Sequence, residues 1–227
     1  GKYEYGRSIL EELKNLGVDT TRIIVDETLP TTRCYINVES GESKVVNLEY
    51  LNRLYIFRDE DRKYLKLAKS IMIGPRLPIF EQYAIFAKQH NITTYVTLHM
   101  SLLDKKIISI LKETKPKTIF GNQSEASNLE NIVNSNTTVV VTKGSSGATV
   151  ITTEGPNNFP SFKVNPIDPT GAGDSFAAGY IYGDIKKWNL EKKMKFANAL
   201  GALATQQVGA RSNLYSLQEV EEFIKKF

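Results

Sequence analysis

Apolar residues along this chain recur with two different periods, and the switch between them divides it. Tyr5, Ile9, Leu13 and Leu16 fall on one helical face, and Gly17 is placed to end that helix. The segments TTRCYINVE and SKVVNLEY then read as strands around Gly41 and Glu42, a hairpin signal. From Asp59 onward short apolar runs alternate with helical stretches. A helix near Asp59 to Lys69 precedes the strand SIMIG, PIFEQYAIFAKQH precedes ITTYVTL, and DKKIISILKE precedes KTIFG. SEASNLENIV reads as a further helix before TTVVVTKG, which turns through Ser145 and Ser146 into ATVITT. NPIDPTGAGDSFAAGYIYG opens an alanine-rich helix, and two helical stretches close the chain, Leu190 to Val208 and Leu217 to Lys226. Strands alternating with helices predict an α/β fold whose parallel sheet is covered on both faces, with the hairpin as a small separate sheet. Ligands of such folds gather beyond the carboxyl ends of the strands. That rule points to GNQSE, to TKGSSG and to the stretch around Gly171.

Composition narrows the classes of function. The 227 residues are 41% apolar, enough for one sizeable core. Lys and Arg outnumber Asp and Glu by 29 to 25, and the cations are scattered, so no stripe of charge predicts a nucleic-acid partner. Cys34 is the single cysteine, which excludes a disulfide within the chain and fits a reducing compartment. In its apparent strand it is expected as a buried small hydrophobe rather than a nucleophile. Two histidines, His90 and His99, exclude a His-rich metal site. No run of about 18 apolar residues and no secretory opening occur, so the expectation is a soluble cytoplasmic protein with no membrane partner.

The candidate chemistry lies at Gly171, Ala172, Gly173 and Asp174. The first amides of a helix have no internal partner, and the helix dipole places partial positive charge there. A phosphate oxygen can sit against such a backbone. A carboxylate in the first turn is favoured by the same dipole and suits a general base. Glycine and Asp at a helix start are also ordinary capping chemistry, and four residues alone do not choose between the two.

The wider pattern bears on that choice. DPTGAGDSFAAGYIYG closely resembles the second signature of the ribokinase-like carbohydrate kinases, the phosphofructokinase B-type family, usually of the form D-T-x-G-A-G-D-x-F. GNQSEA resembles the family's Asn-x-x-Glu motif, and VVVTKGSSGA its strand and turn at the nucleotide. FANALGALATQQVGARSNLYSLQEVEEFI is similar to its closing helix, Gly-Ala loop and final helix, and YEYGRSILEELKNLGVDTTRI to its first long helix. The resemblance implies a three-layer sandwich with a mostly parallel sheet. It also implies one kinase domain over residues 1–227, lacking the family's N-terminal part, with a β-lid over residues 31–50. YVTLHMS departs from many members, which carry Asp near that strand's end; His99 or Ser101 occupies the region here.

For function, the resemblance implies an ATP-dependent kinase that transfers the γ-phosphate to a hydroxymethyl group of a sugar. Asp174 would be the general base, and the amides of Gly171, Ala172 and Gly173 the anion hole. Asn122 and Glu125 would organise Mg²⁺ and its waters, Glu125 through water, although Asn with Glu three residues on is also a common cap. Thr142, Gly144, Ser145 and Gly147 would contact the nucleotide, and Asn198 would face the adenine. Asp168 and Thr170 match positions that in many members help hold a monovalent cation, potassium. Ala204, Gln207, Gly209 and Asn213 would complete that site, mainly through carbonyl oxygens. The lid would cover the acceptor or pair two subunits into a homodimer, with Arg33, Tyr35 and Asn37 alternating onto one face. The alternatives are an adenosine-type nucleoside kinase of the same family and a catalytically silent nucleotide-binding relative. A nicotinamide dehydrogenase and a Walker-type kinase are disfavoured, because neither G-x-G-x-x-G after an early strand nor G-x-x-x-x-G-K-[ST] occurs.

Overall fold

The computed structural model describes residues 4–28, 30–31, 33–39, 42–48, 56–98, 104–127, 129–211 and 214–227. It divides into two compact units, one of residues 1–38 and 43–55, the other of residues 39–42 and 56–227.

The first unit holds helix α1 (Glu4–Asn15), and strands β1 (Cys34–Glu39) and β2 (Glu42–Leu48) form a two-stranded sheet. Helix α1 ends where its sequence predicts. Gly17 takes a φ of 76°, its amide donates to the Lys14 carbonyl at 2.9 Å, and the Val18 amide donates to the Leu13 carbonyl at 2.9 Å. Those two bonds satisfy carbonyls that the helix leaves open, and they need a left-handed residue between them. Cys34 corrects an expectation, because its thiol is exposed. Along β1 only Ile36 and Val38 are half-buried, and Arg33, Tyr35 and Asn37 share the exposed face. A two-stranded ribbon offers no second layer of its own to cover either face.

The second unit is built on a six-stranded sheet in sequential order: β3 (Ser70–Ile73), β4 (Thr93–Thr97), β5 (Thr118–Asn122), β6 (Thr138–Thr142), β7 (Ala148–Thr152) and β8 (Gly155–Phe159). Strands β3 to β6 are parallel, β7 pairs antiparallel with β6, and β8 pairs antiparallel with β7. Its helices are α2 (Asp59–Leu65), α3 (Ile79–Gln89), α4 (Lys105–Thr114), α5 (Ala172–Ile185), α6 (Leu190–Ala204) and α7 (Leu217–Lys225). Successive side chains of a strand point to opposite faces, and here both faces are covered. Val96, Ile119, Val139 and Val141 pack with Phe80 and Ala84 of α3 and with Ile107, Ile110 and Leu111 of α4. Their neighbours Tyr95, Phe120 and Val140 pack with Phe176, Ala177 and Tyr180 of α5 and with Met194 and Ala197 of α6. The result is three layers, helices on each side of the sheet. No helix among the described residues is long and apolar enough to cross a membrane.

Three departures from the expected elements have local causes. The helix expected over SEASNLENIV is absent; turns span 123–127, followed by a 3-10 helix, Glu130–Ile132. Serine side chains compete there for backbone and cap groups: Ser124 Oγ donates to Asn122 Oδ1 at 2.7 Å and Ser127 Oγ to the Ser124 carbonyl at 3.1 Å. Helix α6 ends at Ala204 rather than Val208, because Thr205 and Gln206 turn their amides back to the carbonyls of Ala202 and Leu203. Strand β8 reads GPNNF, without apolar alternation; lying at the sheet edge, it tolerates Pro156.

Candidate active site

Helix α5 runs opposite to the parallel strands. Near its carboxyl end the Asp184 carboxylate accepts the Tyr95 hydroxyl and lies 2.6 Å from Nζ of Lys117, the residue before β5. One turn earlier Tyr180 meets Phe120 edge to face, with ring centroids 5.2 Å apart. From Asp184 back to Asp174 the helix rises about 15 Å, and β5 advances about 16 Å from Lys117 to Asn122. The start of α5 is therefore level with the carboxyl ends of β5 and β6, where Asn122 and Thr142 are register partners. Gly201 of α6 closes on the same place, because a Cβ there would lie 3.4 Å from the Ala172 carbonyl oxygen and 3.4 Å from Phe176 Cβ.

The two glycines at this helix start differ. Gly171 has a φ of 83°, and an added Cβ would lie 3.0 Å from the Ala210 carbonyl oxygen and 3.1 Å from Ala210 Cα. Backbone conformation and packing both demand glycine there. Gly173 is required by neither, for it lies inside the first helical turn and an added Cβ would meet nothing within 4 Å. A helical glycine that packing does not need costs about 0.5–1 kcal/mol against alanine, so its bare backbone leaves room for something outside the fold. Among the described residues the amides of Gly171 and Gly173 have no hydrogen-bond acceptor, whereas the Ala172 amide donates to the Pro169 carbonyl at 3.1 Å. Of the three amides expected to face an anion, two are open and one is engaged. Asp174 lies in the same first turn, with its side chain exposed.

The loop leading into α5 is tied to the end of α6. The Thr205 carbonyl accepts both the Ile167 amide at 2.7 Å and the Asp168 amide at 3.1 Å, and Gln206 Nε2 donates to the Asn165 carbonyl at 3.0 Å. Asp168 is only 3% exposed, and its two carboxylate oxygens accept the amides of Thr170 at 2.9 Å and Gly209 at 2.8 Å. Burial pushes its pKa up, but the Thr170 hydroxyl and those two amides outweigh burial and hold the carboxyl below its ordinary value. That hydroxyl acts on the carboxylate without meeting hydrogen-bond geometry, and among the described residues its oxygen is buried with no partner. Ala204 is buried at the last turn of α6, where a helix leaves carbonyls without internal donors. Gln207 is exposed and Gly209 half-buried beside Asp168; Asn213 lies outside the described residues, as do His99 and Ser101.

Asn122 and Glu125 form a reciprocal cap on a turn rather than on a helix. Asn122 Oδ1 accepts the amides of Ser124 at 3.0 Å and Glu125 at 2.9 Å, while Glu125 Oε2 accepts the Asn122 amide at 2.8 Å. Gly121 makes room for this, since an added Cβ would lie 3.3 Å from Glu125 Cβ. Across the ladder Thr142 Oγ1 donates to the Gly121 carbonyl at 3.4 Å. Beyond it, Gly144 and Ser145 sit in the short 3-10 turn Gly144–Ser146. Gly147 has a φ of 90°, and a Cβ there would stand 2.1 Å from the Phe159 carbonyl oxygen. Asn198 is 4% exposed and donates through Nδ2 to the Pro160 carbonyl at 3.1 Å. It therefore holds the segment leaving β8 against α6. Thr205 and Gly121 were not singled out from sequence; each acts through its backbone, which leaves no side-chain signal. No group of three or more His, Cys, Asp or Glu residues suited to a metal occurs among the described residues.

Comparison with known proteins gives a consistent result. The model of the pfkB family carbohydrate kinases matches residues 1–216. An uncharacterized sugar kinase of Pyrococcus horikoshii is 28% identical over 233 residues, covering 93% of this chain and 74% of that protein. Its crystal structure in complex with ATP superposes with a TM-score of 0.76 at 26% identity, over 98% of this chain and 82% of that one. The 5-dehydro-2-deoxygluconokinase of Geobacillus kaustophilus is 23% identical over 98% of this chain and 76% of its own length. A nucleoside kinase of Methanocaldococcus jannaschii is 35% identical over a shorter stretch of 89 residues, 39% of this chain and 30% of that protein.

Proposed function

Because the chain belongs to the pfkB family of carbohydrate kinases, we propose that it transfers the γ-phosphate of ATP to a hydroxymethyl group of a sugar at the start of α5. The observation that carries this reading is Gly173, a helical glycine with open space beside it and, among the described residues, an amide without an acceptor. In this reading Asp174 takes the proton of the acceptor hydroxyl. The deprotonated oxygen attacks the γ-phosphorus, and the bond from that phosphorus to the β,γ-bridging oxygen breaks, releasing ADP. The amides of Gly171 and Gly173, with the positive end of the α5 dipole, meet the charge on the travelling phosphoryl oxygens. Ala172 joins them only when its amide leaves the Pro169 carbonyl. In this reading Thr142, Gly144, Ser145 and Gly147 contact the nucleotide, and Asn198 supports that end of the site by holding the Pro160 carbonyl.

Two ions fit the residues present. Asn122 Oδ1 already accepts three donors, the amides of Ser124 and Glu125 and the Ser124 hydroxyl. Asn122 and Glu125 therefore suit Mg²⁺ through its waters rather than by direct ligation, and the ion would supply charge neutralisation at the phosphates. Asp168, the Thr170 hydroxyl, which has no partner among the described residues, and the carbonyls of Ala204, Gln207 and Gly209 suit potassium, with Asn213 expected beside them from the sequence, and the ion would add positive field to the loop.

Asp174→Asn is expected to cut turnover about a hundredfold or more while ATP binding, read by calorimetry, survives. Near-normal turnover in that variant would remove Asp174 from the mechanism. The acceptor is identified by screening sugars and nucleosides with ATP and Mg²⁺, in potassium and again in sodium. The local match to a nucleoside kinase favours a second reading, a nucleoside acceptor, which the same screen decides. ATP binding with every acceptor left unphosphorylated would make the chain a silent nucleotide binder.

A further inference from the structure

At the opposite end of α5 from the proposed site, a buried ionic junction joins three other parts of the second unit. The Asp184 side chain, 9% exposed, accepts the Tyr95 hydroxyl from β4 on Oδ2 and pairs that oxygen with Lys117 Nζ at 2.6 Å. Its Oδ1 accepts Lys193 Nζ of α6 at 2.8 Å, and Lys193 is itself 11% exposed at the side chain. Gly183 makes the junction possible, since a Cβ there would lie 3.0 Å from Lys193 Cγ and 3.0 Å from Trp188 Cε3. The same ammonium sits 4.3 Å from the centroid of the Tyr180 ring.

Cohesion alone does not explain this arrangement. An acidic residue near the carboxyl end of a helix opposes the helix dipole. Buried ion pairs are often matched or bettered in stability by well-packed apolar side chains, and their best-attested use is to specify register. The rest of the α5 interface is apolar: Phe176, Ala177 and Tyr180 pack with Tyr95, Phe120 and Val140 of the sheet, and Gly179 lies against Ala197 and Leu200 of α6. Apolar contact with β4 and β5 sets how close α5 lies; three directional partners on one carboxylate set how far along its axis it sits.

We propose that Asp184, through Tyr95, Lys117 and Lys193, is the axial anchor that sets the height of Gly173 and Asp174 against the carboxyl ends of β5 and β6. It is a positioning residue, and its catalytic consequence rests on the function proposed above. A rigid helix carries a shift at Asp184 through about 15 Å to Asp174. A misplacement of about 1 Å at reacting groups costs up to about a hundredfold in rate.

The decisive variant is Asp184→Glu, which keeps the charge and all three partners but lengthens the arm by one methylene. Its crystal structure is expected to show Asp174 displaced along the α5 axis relative to Asn122. Its kcat should fall about tenfold or more, with KM for ATP nearly unchanged and thermal stability retained. A residue needed only for cohesion would behave differently, losing activity in proportion to stability and regaining both in the Glu variant. An undisplaced Asp174 overturns the anchor, and so does a wild-type kcat in a protein whose Asp174→Asn variant is inactive. If Asp174→Asn is itself fully active, the base assignment falls instead, and the measured displacement alone decides whether Asp184 sets the register.

Discussion

Two glycines show at the scale of single residues how packing and function separate. Gly147 is held at a φ of 90°, with the Phe159 carbonyl oxygen 2.1 Å and the Ser161 amide nitrogen 2.6 Å from where a Cβ would stand. Backbone atoms on both sides cannot yield as a flexible side chain can. Gly147→Ala is therefore expected to lose about 2–5 kcal/mol, from the left-handed penalty and overpacking together, read as a lower urea midpoint. Gly173→Ala should move in two directions at once. Its Cβ meets nothing within 4 Å, and alanine in a helix is worth about 0.5–1 kcal/mol over glycine, so the unfolding temperature rises. In the proposed site the same methyl would occupy the space the phosphoryl group needs, so kcat/KM is expected to fall about tenfold or more. A Gly173→Ala enzyme that is both more stable and fully active would contradict the site. The resemblance implied a ligand-contacting role for both glycines, Gly173 in the anion hole and Gly147 in the nucleotide turn. Their difference lies in Phe159 and Ser161, residues brought up by a strand that carries no periodic signal.

At the scale of elements, the α5–α6 pair decides whether the site holds its shape. Gly179 is a tight notch: an added Cβ would lie 2.9 Å from Leu200 Cδ1 and 3.0 Å from Ala197 Cα. Leu200 can rotate away, but the Ala197 backbone cannot, so Gly179→Ala should cost about 1–3 kcal/mol. Gly201→Ala is the internal control, since its Cβ would make only ordinary contacts at 3.4 Å with the Ala172 oxygen and Phe176 Cβ. In a chain of this size each kcal/mol moves the unfolding temperature by about 2–4 °C, so calorimetry separates the two variants. Equal losses would mean that the helices are not in contact at Gly179 as described. Element identity was legible wherever apolar runs were long, as in ITTYVTL, KTIFG and TTVVVT, because a strand buried on both faces must be apolar throughout, and in SIMIG at the sheet edge. It failed over SEASNLENIV, where hydroxyl side chains capture the backbone, and over GPNNF, whose place in the sheet comes from pairing with β7 alone. Cys34 failed for a related reason, since a strand pattern predicts alternation but not what covers it.

For the molecule as a whole, acid is the condition that reveals how the charges deep in the fold are used. An unfolded Asp titrates near 3.9. In the folded chain burial alone would raise the Asp184 pKa, yet Lys117, Lys193 and Tyr95 outweigh it and hold the carboxyl at about 2. Between those two values the unfolded chain takes up a proton that the folded chain refuses, and proton uptake favours unfolding. The stabilisation is thus fully present above about pH 4 and is lost as pH falls toward 2, a contribution of about 2 kcal/mol. Asp168, also held below its ordinary value, acts in the same direction. None of this was readable from the chain. The Asp184 partners Tyr95 and Lys117 are distant in sequence, and a lone Asp among lysines reads as a solvated surface charge. Replacing the charged pair by apolar residues, Asp184→Leu with Lys193→Met, tests the account. At pH 7 the double variant should unfold at a lower urea concentration than wild type by about 1–3 kcal/mol, the cost of leaving the buried Tyr95 hydroxyl without its acceptor, since apolar packing otherwise replaces a buried pair at little cost. Between pH 5 and pH 2.5 it should lose less stability than wild type by about 1–2 kcal/mol. Parallel acid losses in the two proteins would show that Asp184 carries no depressed titration, and that the junction under α5 is an ordinary surface pair.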